Sequence, residues 1–127
     1  MRRVVVTGMG LVTPLGCGHE HVWKRLINAE SGISSIQSFD VSDLPAKIAG
    51  QVPRGDIASG NFNPDDSVPP KDQKKMDDFI VMAMAAAHEA VIDSGWEPKT
   101  DDERNKTGVM IGSGIGGLNV IYETCRS

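Results

Sequence analysis

The sequence has few cysteines, few aromatic side chains and no long apolar run. Among its 127 residues are 2 cysteines, and the aromatic residues make up 5 %. Two cysteines cannot build a disulfide framework, so the sequence excludes a small secreted disulfide-stabilised domain and indicates a reducing compartment. No apolar run approaches the roughly 20 residues that a helix needs to cross a bilayer. Association with a membrane is therefore not expected.

The sequence also carries fewer positive than negative charges. The 13 lysine and arginine residues face 17 aspartate and glutamate residues, which gives a formal net charge of −4. This balance gives a nucleic-acid-binding protein no bulk electrostatic support. The amino terminus runs directly into Val4, Val5 and Val6, a stretch that is too short for the apolar part of a signal peptide. We therefore predict a cytoplasmic protein without a nucleic-acid partner.

Strand-like and helix-like segments alternate along the chain. Residues 3–7 and 107–111 are apolar and β-branched, which predicts strands buried on both faces, as in a parallel sheet. Helical patterns begin at His19, extend over residues 76–94 and begin again at Leu118. This order predicts an α/β fold with mainly parallel strands.

The segments between these elements carry weaker signals. Residues 46–52 alternate well enough to predict a short strand, and Gly32 is the expected end of the helix that begins at His19. Residues 54–70 are rich in glycine, asparagine, aspartate and proline, which predicts a long surface excursion. Residues 99–106 are polar and predict a loop.

The helix over residues 76–94 is the strongest single element. It is apolar nearly all round in its middle, so we expect it to be buried, and its alanines should let a neighbouring backbone approach closely. Asp77 or Asp78 can cap its start, and Gly95 suits its end. The later helical pattern reaches Ser127 without a stop signal. A small parallel sheet with an open edge would be marginal, so we expect the N-terminal part of a larger protein.

Two glycine-rich turns follow the predicted strands. Gly112, Gly114 and Gly117 satisfy the G-x-G-x-x-G pattern of dinucleotide-binding proteins. The acidic residue expected about 20 positions later would lie beyond the sequence, and a tight turn between a strand and a helix needs only the glycines. A fragment of a dinucleotide-binding oxidoreductase stays open as an alternative. In the turn at residues 7–10, the third glycine is absent, which favours a close backbone crossing.

Three lysines, Lys71, Lys74 and Lys75, precede the long apolar helix and are called the lysine patch below. A solvated turn is the plainest interpretation. The alternative is a docking site for an acidic partner, because the lysine charges add to the positive end of the helix dipole. An interaction module without catalytic activity would show the same patch.

The side chains suited to catalysis or metal binding do not form a recognisable set. His19 and His21 would point to different sides of a helix, no fourth metal ligand accompanies them with Cys17, and His88 lies in the helix predicted to be buried. Cys17 and Cys125 stand in no recognisable nucleophile motif. We predict no catalytic residue, no metal and no cofactor in this chain.

Four collinear motifs resemble the β-ketoacyl-[acyl-carrier-protein] synthases, and the type II branch more than the type I branch. The resemblance covers essentially the whole chain and is weakest at residues 54–70. The matching stretches are residues 3–16, residues 23–26 with 30–33, residues 71–77 and residues 111–118.

The resemblance implies a thiolase fold, an αβαβα layered arrangement of two similar halves that works as a homodimer. Residues 1–127 would be the N-terminal part of the first half. The implied reaction is the decarboxylative condensation of malonyl-acyl carrier protein with an acyl group on an active-site cysteine, with acyl and malonyl thioesters as substrates. In the family that cysteine and two histidines lie downstream, so the chain should be inactive alone. A polyketide ketosynthase shares much of this architecture and stays open.

Two residue roles follow from the resemblance. Ile115 matches the gating residue of the acyl pocket, whose side chain moves aside for the growing acyl chain. Lys71, Lys74 and Lys75 match the basic patch that binds the acidic carrier protein. Lys74 stands where an arginine is often found, which keeps the charge and loses the bidentate geometry.

Overall fold

The computed structural model describes residues 2–126, and its chain mixes short strands with helices. The strands are β1, Val12–Thr13; β2, Gly16–Cys17; β3, Ile33–Ser35; and β4, Ile48–Gly50. The helices are α1, His19–Ile27; α2, Pro70–Gln73; α3, Asp78–Ser94; α4, Asp101–Asn105; and α5, Leu118–Arg126. Two 3₁₀ helices, Ile57–Ser59 and Pro64–Asp66, lie between β4 and α2. None of the helices within residues 2–126 combines the length and apolarity that crossing a bilayer requires.

The strands pair as two antiparallel hairpins. Strand β1 pairs with β2, with Val12 opposite Cys17, and β3 pairs with β4, with Ile33 opposite Gly50. Within the described part of the chain, parallel pairing is confined to one isolated bridge, between Arg54 and Phe62. The prediction of mainly parallel strands is therefore wrong for these residues, and the strand predicted at residues 46–52 is confirmed over a shorter range.

The two stretches predicted as buried strands are not strands in the structure. Residues 3–7 and 107–111 have no regular secondary structure, and Val4 and Met110 are 96 % and 98 % exposed. A strand is completed by hydrogen bonds to a neighbouring strand. Neither stretch has such a neighbour among residues 2–126, so apolar sequence alone leaves both extended and exposed.

The first glycine-rich turn makes a close backbone crossing with α3. A Cβ atom placed at Gly10 would collide with the carbonyl oxygen of Ala86 and lie 2.8 Å from the amide nitrogen of Ala90. Gly8 meets the backbone of α3 in the same way, at Ala90 and Ser94. Both predictions are confirmed: the turn is a crossing, and the alanines of α3 allow it.

Two carboxylates of α3 hold this crossing in place. Asp93 accepts a hydrogen bond from the amide of Met9 at 2.9 Å, and Glu89 accepts one from the amide of Leu11 at 2.9 Å. The other carboxylate oxygen of Glu89 accepts from the amide of His19 at 2.9 Å. Gly18, which precedes α1, has no side chain to cap it. Glu89 therefore supplies the acceptor that the first turn of α1 needs.

The segment predicted as a surface excursion contributes to the core. Phe62 and Val68 are buried together with Val81 of α3. Asp56 accepts from the amide of Ala58 at 3.1 Å, and Asn63 accepts from the amide of Asp65 at 3.2 Å. These caps form two tight 3₁₀ turns that direct the two apolar side chains inward. Residues 54–70 are therefore not only a surface excursion, because Phe62 and Val68 are buried while most of the polar residues are exposed.

The carboxyl end of α3 agrees with the sequence, but its burial does not, and Asp77 takes the N-cap position without the side-chain hydrogen bond that a cap requires. Asp77 precedes the first residue of the helix, and Gly95 ends it in the left-handed conformation with φ of 61°. Val81 is 3 % exposed, whereas Val91 and Ile92 on another side are 58 % and 67 % exposed. Much of the helix surface is exposed within the described residues, so the prediction of a buried helix is wrong for this part of the chain.

Two further predictions of element ends are corrected. Helix α1 ends at Ile27 with Asn28 as its C-cap residue, and Ala29 takes the left-handed conformation with φ of 57°, so Gly32 does not end the helix. The loop predicted over residues 99–106 contains α4, because Thr100 and Glu103 form a capping box. Hydrogen bonds from the backbone amides of Thr100 and Lys99 lower the pKa of the Glu103 carboxyl.

Candidate functional site

An apolar groove lies between the start of α3 and the second glycine-rich turn. It has a volume of about 380 Å³ and is called the Ile115 groove below. Ile115 at its edge is 81 % exposed, and every side chain in the lining is apolar except that of Ser113. Such a surface can bind a hydrocarbon chain and offers no group for proton transfer or metal binding. The lining residues are Phe79, Ile80, Ala83, Met84 and residues 111–115.

The glycines of this turn have unequal surroundings. A Cβ atom at Gly112 or Gly114 would have open space, whereas one at Gly116 would lie 3.9 Å from Cζ of Phe79. A Cβ atom at Gly117 would collide with the carboxylate of Asp77. The carbonyl of Gly117 accepts a hydrogen bond from the amide of Ile121 at 3.0 Å in the first turn of α5. The turn therefore abuts α3 at its carboxyl end and is open around Ile115.

The dinucleotide alternative loses support from this geometry. The G-x-G-x-x-G pattern is a nucleotide motif when it joins a strand to a helix. Helix α5 follows the turn as predicted, but the groove beside the turn is lined by apolar side chains and one serine, which does not suit a charged pyrophosphate.

The lysine patch lies on α2 and the turn that joins it to α3. All three ammonium-bearing residues are exposed. Nζ of Lys75 lies 3.6 Å from Oδ1 of Asp72, and because both side chains are exposed this pair is weak. Within residues 2–126, no salt bridge engages Lys71 or Lys74. The patch therefore presents three cations with one nearby counter-charge.

The lysine patch has a fixed attachment to the core. Nε2 of Gln73 donates to the carbonyl oxygen of Val68 at 2.7 Å and to the carboxylate of Asp65 at 2.8 Å. Met76, just after the patch, packs against the buried cluster that contains Val68. Helix α2 is thus held on the same core as α3, with the lysines facing solvent.

The lysine patch and the Ile115 groove meet at the start of α3. Lys75 lies three residues before the first residue of α3, and Phe79 in the groove is the second residue of that helix. The lysines and the apolar lining of the groove are therefore close neighbours in the sequence. Sequence patterns and family resemblance identified both features, but they did not show that the start of α3 carries both.

The cysteines and histidines do not assemble into a reactive centre. Burial and then the charge of Glu89 raise the pKa of the Cys17 thiol, which disfavours the thiolate that a nucleophile needs. Nδ1 of His19 lies 3.2 Å from Glu89, and His88 is exposed on α3, contrary to its predicted burial. In the described part of the chain, no group of three or more possible ligands is arranged to hold a metal ion.

A second cavity, of about 390 Å³, lies between the first hairpin, residues 57–67 and α3. Its lining combines apolar side chains with polar or titratable ones, those of Cys17, Asn61, Asn63, Asp66, Ser67, His88 and Glu89. No local pattern marks it, because its walls come from three separate stretches of the chain.

Comparison with known proteins decides between the alternatives. The family described as "Beta-ketoacyl synthase, N-terminal domain" matches residues 1–126. The chain belongs to this family. The ketoacyl synthase resemblance and the thiolase-like α/β fold it implied are confirmed, since a ketosynthase is also among the similar solved structures.

Individual β-ketoacyl synthase relatives align along most of the chain. A protein from Rhizobium meliloti (strain 1021), "3-oxoacyl-[acyl-carrier-protein] synthase 2", is 54 % identical over 123 residues, covering 97 % of this chain and 29 % of its own length. The protein of the same name from Vibrio harveyi is 42 % identical over 120 residues, covering 94 % and 27 %. The structure of "The ishigamide ketosynthase/chain length factor" aligns with a TM-score of 0.61 and 33 % identity, covering 80 % of this chain and 23 % of that one. The chain spans less than a third of these relatives.

Proposed function

We propose that this chain is the N-terminal segment of a longer 3-oxoacyl-[acyl-carrier-protein] synthase of fatty acid elongation. The observation that carries the proposal is the common support of the lysine patch and the apolar Ile115 groove at the start of α3. One feature suits an acidic carrier protein and the other suits the acyl chain that the carrier delivers. The names of the relatives favour this function over a polyketide ketosynthase.

The proposed reaction joins two thioesters. Malonyl-acyl carrier protein loses carbon dioxide, and the resulting carbanion attacks the carbonyl carbon of an acyl group held on a cysteine. The carbon–sulfur bond of the acyl-enzyme breaks, the cysteine thiolate leaves, and the acyl chain is two carbons longer. The reactive cysteine and two histidines belong to sequence outside this segment, so its own contribution is binding. We propose that the full protein acts as a cytoplasmic homodimer.

The exposed apolar stretches support the proposal of a longer protein. Val4, Val5 and Val6 are 96 %, 73 % and 81 % exposed, and Val109 and Met110 are 88 % and 98 % exposed. Two such β-branched stretches are typical of strands inside a parallel sheet. Neighbouring strands from the remainder of the synthase would complete them.

The lysine patch is tested by reversing two charges. In the full-length synthase, Lys74→Glu with Lys75→Glu is expected to weaken binding of the acyl carrier protein by at least about tenfold at low salt, because two attractive charges become repulsive. Isothermal titration calorimetry at low and high salt measures the change.

The matched control for this charge reversal is the pair Lys47→Glu and Lys99→Glu. It changes the net charge by the same amount at exposed positions outside the patch. Equal affinities for the patch variant and the unmodified protein would refute carrier binding by these lysines. Equal losses in both double variants would show a general charge effect instead.

Ile115 is tested by enlarging its side chain. Ile115→Phe is expected to lower kcat/KM for long acyl substrates relative to short ones by about tenfold, because a bulkier ring narrows an apolar pocket. Ile121→Phe is the control, since Ile121 is exposed on α5 and lies outside the groove lining. Unchanged chain-length preference in the Ile115 variant would contradict the gating role.

A further inference from the structure

The backbone of Arg54 is fixed by hydrogen bonds on both sides of the residue. The amide of Phe62 donates to the carbonyl oxygen of Pro53 at 2.7 Å, and the amide of Gly55 donates to the carbonyl oxygen of Phe62 at 3.1 Å. These two bonds form the isolated bridge between Arg54 and Phe62. Because Phe62 is 2 % exposed and belongs to the core, the backbone of Arg54 is attached to the core as well.

The guanidinium of Arg54 is held at the start of α3. Its Cζ atom lies 5.6 Å from the centroid of the Phe62 ring, and Nη2 donates to Oδ2 of Asp78 at 2.7 Å. Asp78 is the first residue of α3. Both charged side chains are exposed, at 46 % and 74 %, so the pair itself stabilises the fold little. The two contacts instead limit the positions that the exposed guanidinium can adopt.

Arg54 lies close to the lysine patch. Asp78 follows Lys75 by three residues, so their Cα atoms are at most about 11 Å apart. A standard protein interface covers about 800 Å² of each partner, an area roughly 30 Å across. A protein that binds the lysine patch is therefore large enough to reach the start of α3 and the guanidinium that is held there.

The guanidinium of Arg54 offers hydrogen bonds that a lysine does not. A guanidinium presents its N–H donors in a planar fork that matches a carboxylate, whereas an ammonium acts as a point charge. Within residues 2–126, Nη2 is the only nitrogen of this guanidinium that donates to a protein group. The donors on Nε and Nη1 can therefore bind a carboxylate of a partner protein while the bond to Asp78 stays in place.

We propose that Arg54 belongs to the carrier-binding surface, where its guanidinium binds a carboxylate of the acidic acyl carrier protein beside the lysine patch. Asp78 orients the guanidinium in the free protein, and its charge lowers the net positive charge that the carrier protein meets. The inference rests on the proposed function, because it adds a contact to the same docking site.

Calorimetric titration of the acyl carrier protein into the full-length synthase at low salt tests this contact. Arg54→Gln is expected to weaken binding by about fivefold to tenfold, because a charge-assisted hydrogen bond to the partner is lost. Asp78→Asn is expected to strengthen binding by about twofold to threefold, because a charge that competes for the guanidinium is removed. This gain should be smaller in the Arg54→Gln background, since the effects of contacting groups are not additive.

Arg104 and Asp101 on α4 provide the matched controls. Nη1 of Arg104 lies 3.5 Å from Oδ1 of Asp101, and both side chains are exposed. Asp101 is the first residue of α4, as Asp78 is of α3. Arg104→Gln and Asp101→Asn change the net charge by the same amounts outside the lysine patch, and carrier affinity should stay within about twofold of that of the unmodified protein.

The outcomes separate this inference from the proposed function. If Lys74→Glu with Lys75→Glu weakens carrier binding while Arg54→Gln behaves like Arg104→Gln, the inference is overturned and carrier binding by the lysine patch stands. An unchanged affinity in Asp78→Asn, a variant that keeps Arg54 itself, also overturns it, as does an equal gain with and without Arg54. If the double lysine variant leaves binding unchanged, both are refuted.

Discussion

Gly10→Ala is expected to lower the free energy of unfolding by about 3 kcal/mol, because the new methyl group has no space. It would collide with the carbonyl oxygen of Ala86, and its other neighbours are also backbone atoms of α3. Backbone atoms inside a helix cannot rotate away as a flexible side chain can. The turn must therefore separate from α3, which also breaks the hydrogen bonds from Met9 and Leu11 to the helix carboxylates.

Asn105→Ala is the control for this prediction, since Asn105 is exposed on α4 and lies outside the apolar stretches at residues 3–7 and 107–111. Its effect should stay within about 0.5 kcal/mol, as for most exposed substitutions. Urea unfolding of both variants in the full-length protein measures the difference. Similar unfolding midpoints for the two variants would contradict the close crossing.

Glu89→Ala is expected to cost about 2–3 kcal/mol, because one side chain satisfies two separate backbone segments. Its two oxygens accept from the amides of Leu11 and His19, which lie 78 and 70 residues away in the sequence. Without them, the crossing at Gly10 loses an anchor and α1 loses the acceptor at its first turn. Glu89→Gln should cost less, since its amide oxygen still accepts at one of the two positions.

Glu97→Ala provides the comparison for Glu89, because Glu97 is an exposed carboxylate just after α3. Hydrogen exchange, followed by mass spectrometry, should show faster exchange at residues 9–11 and 19–22 in the Glu89→Ala variant and no change in the Glu97→Ala variant. Unaltered exchange in both segments would show that the carboxylate does not hold them.

Local sequence patterns predicted the helices better than the strands. The start of α1 at His19, the end of α3 at Gly95 and the start of α5 at Leu118 are confirmed, because capping and periodicity are properties of adjacent residues. The strands predicted at residues 3–7 and 107–111 depend on partners elsewhere. Their apolar sequences carry no information on whether a partner lies within the described chain.

The core was harder to predict than the helices. Phe62 and Val68 lie in a stretch whose composition is typical of a surface loop, and only the caps at Asp56 and Asn63 direct the chain so that they turn inward. Conversely, α3 is apolar on more sides than the described residues cover. Composition gave the wrong burial in both cases, because burial depends on which segments meet.

The candidate site was predicted by family resemblance and not by pattern. Ile115 and the lysine patch have ordinary local sequences, for which a tight turn and a solvated loop are sufficient interpretations. The hydrogen bonds of Glu89 join it to residues far away in the chain. No spacing rule connects such pairs, so they became visible only in the structure.

The attachment of α2 has a consequence for molecular recognition. Gln73 donates a hydrogen bond to the carbonyl oxygen of Val68, so the segment that carries the lysine patch is attached to the core. Under the proposed function, the conformational entropy that this segment loses on binding an acidic protein would come largely from the lysine side chains. If the acyl carrier protein binds there as proposed, the fixed spacing of the three lysines would also favour one orientation of the bound protein.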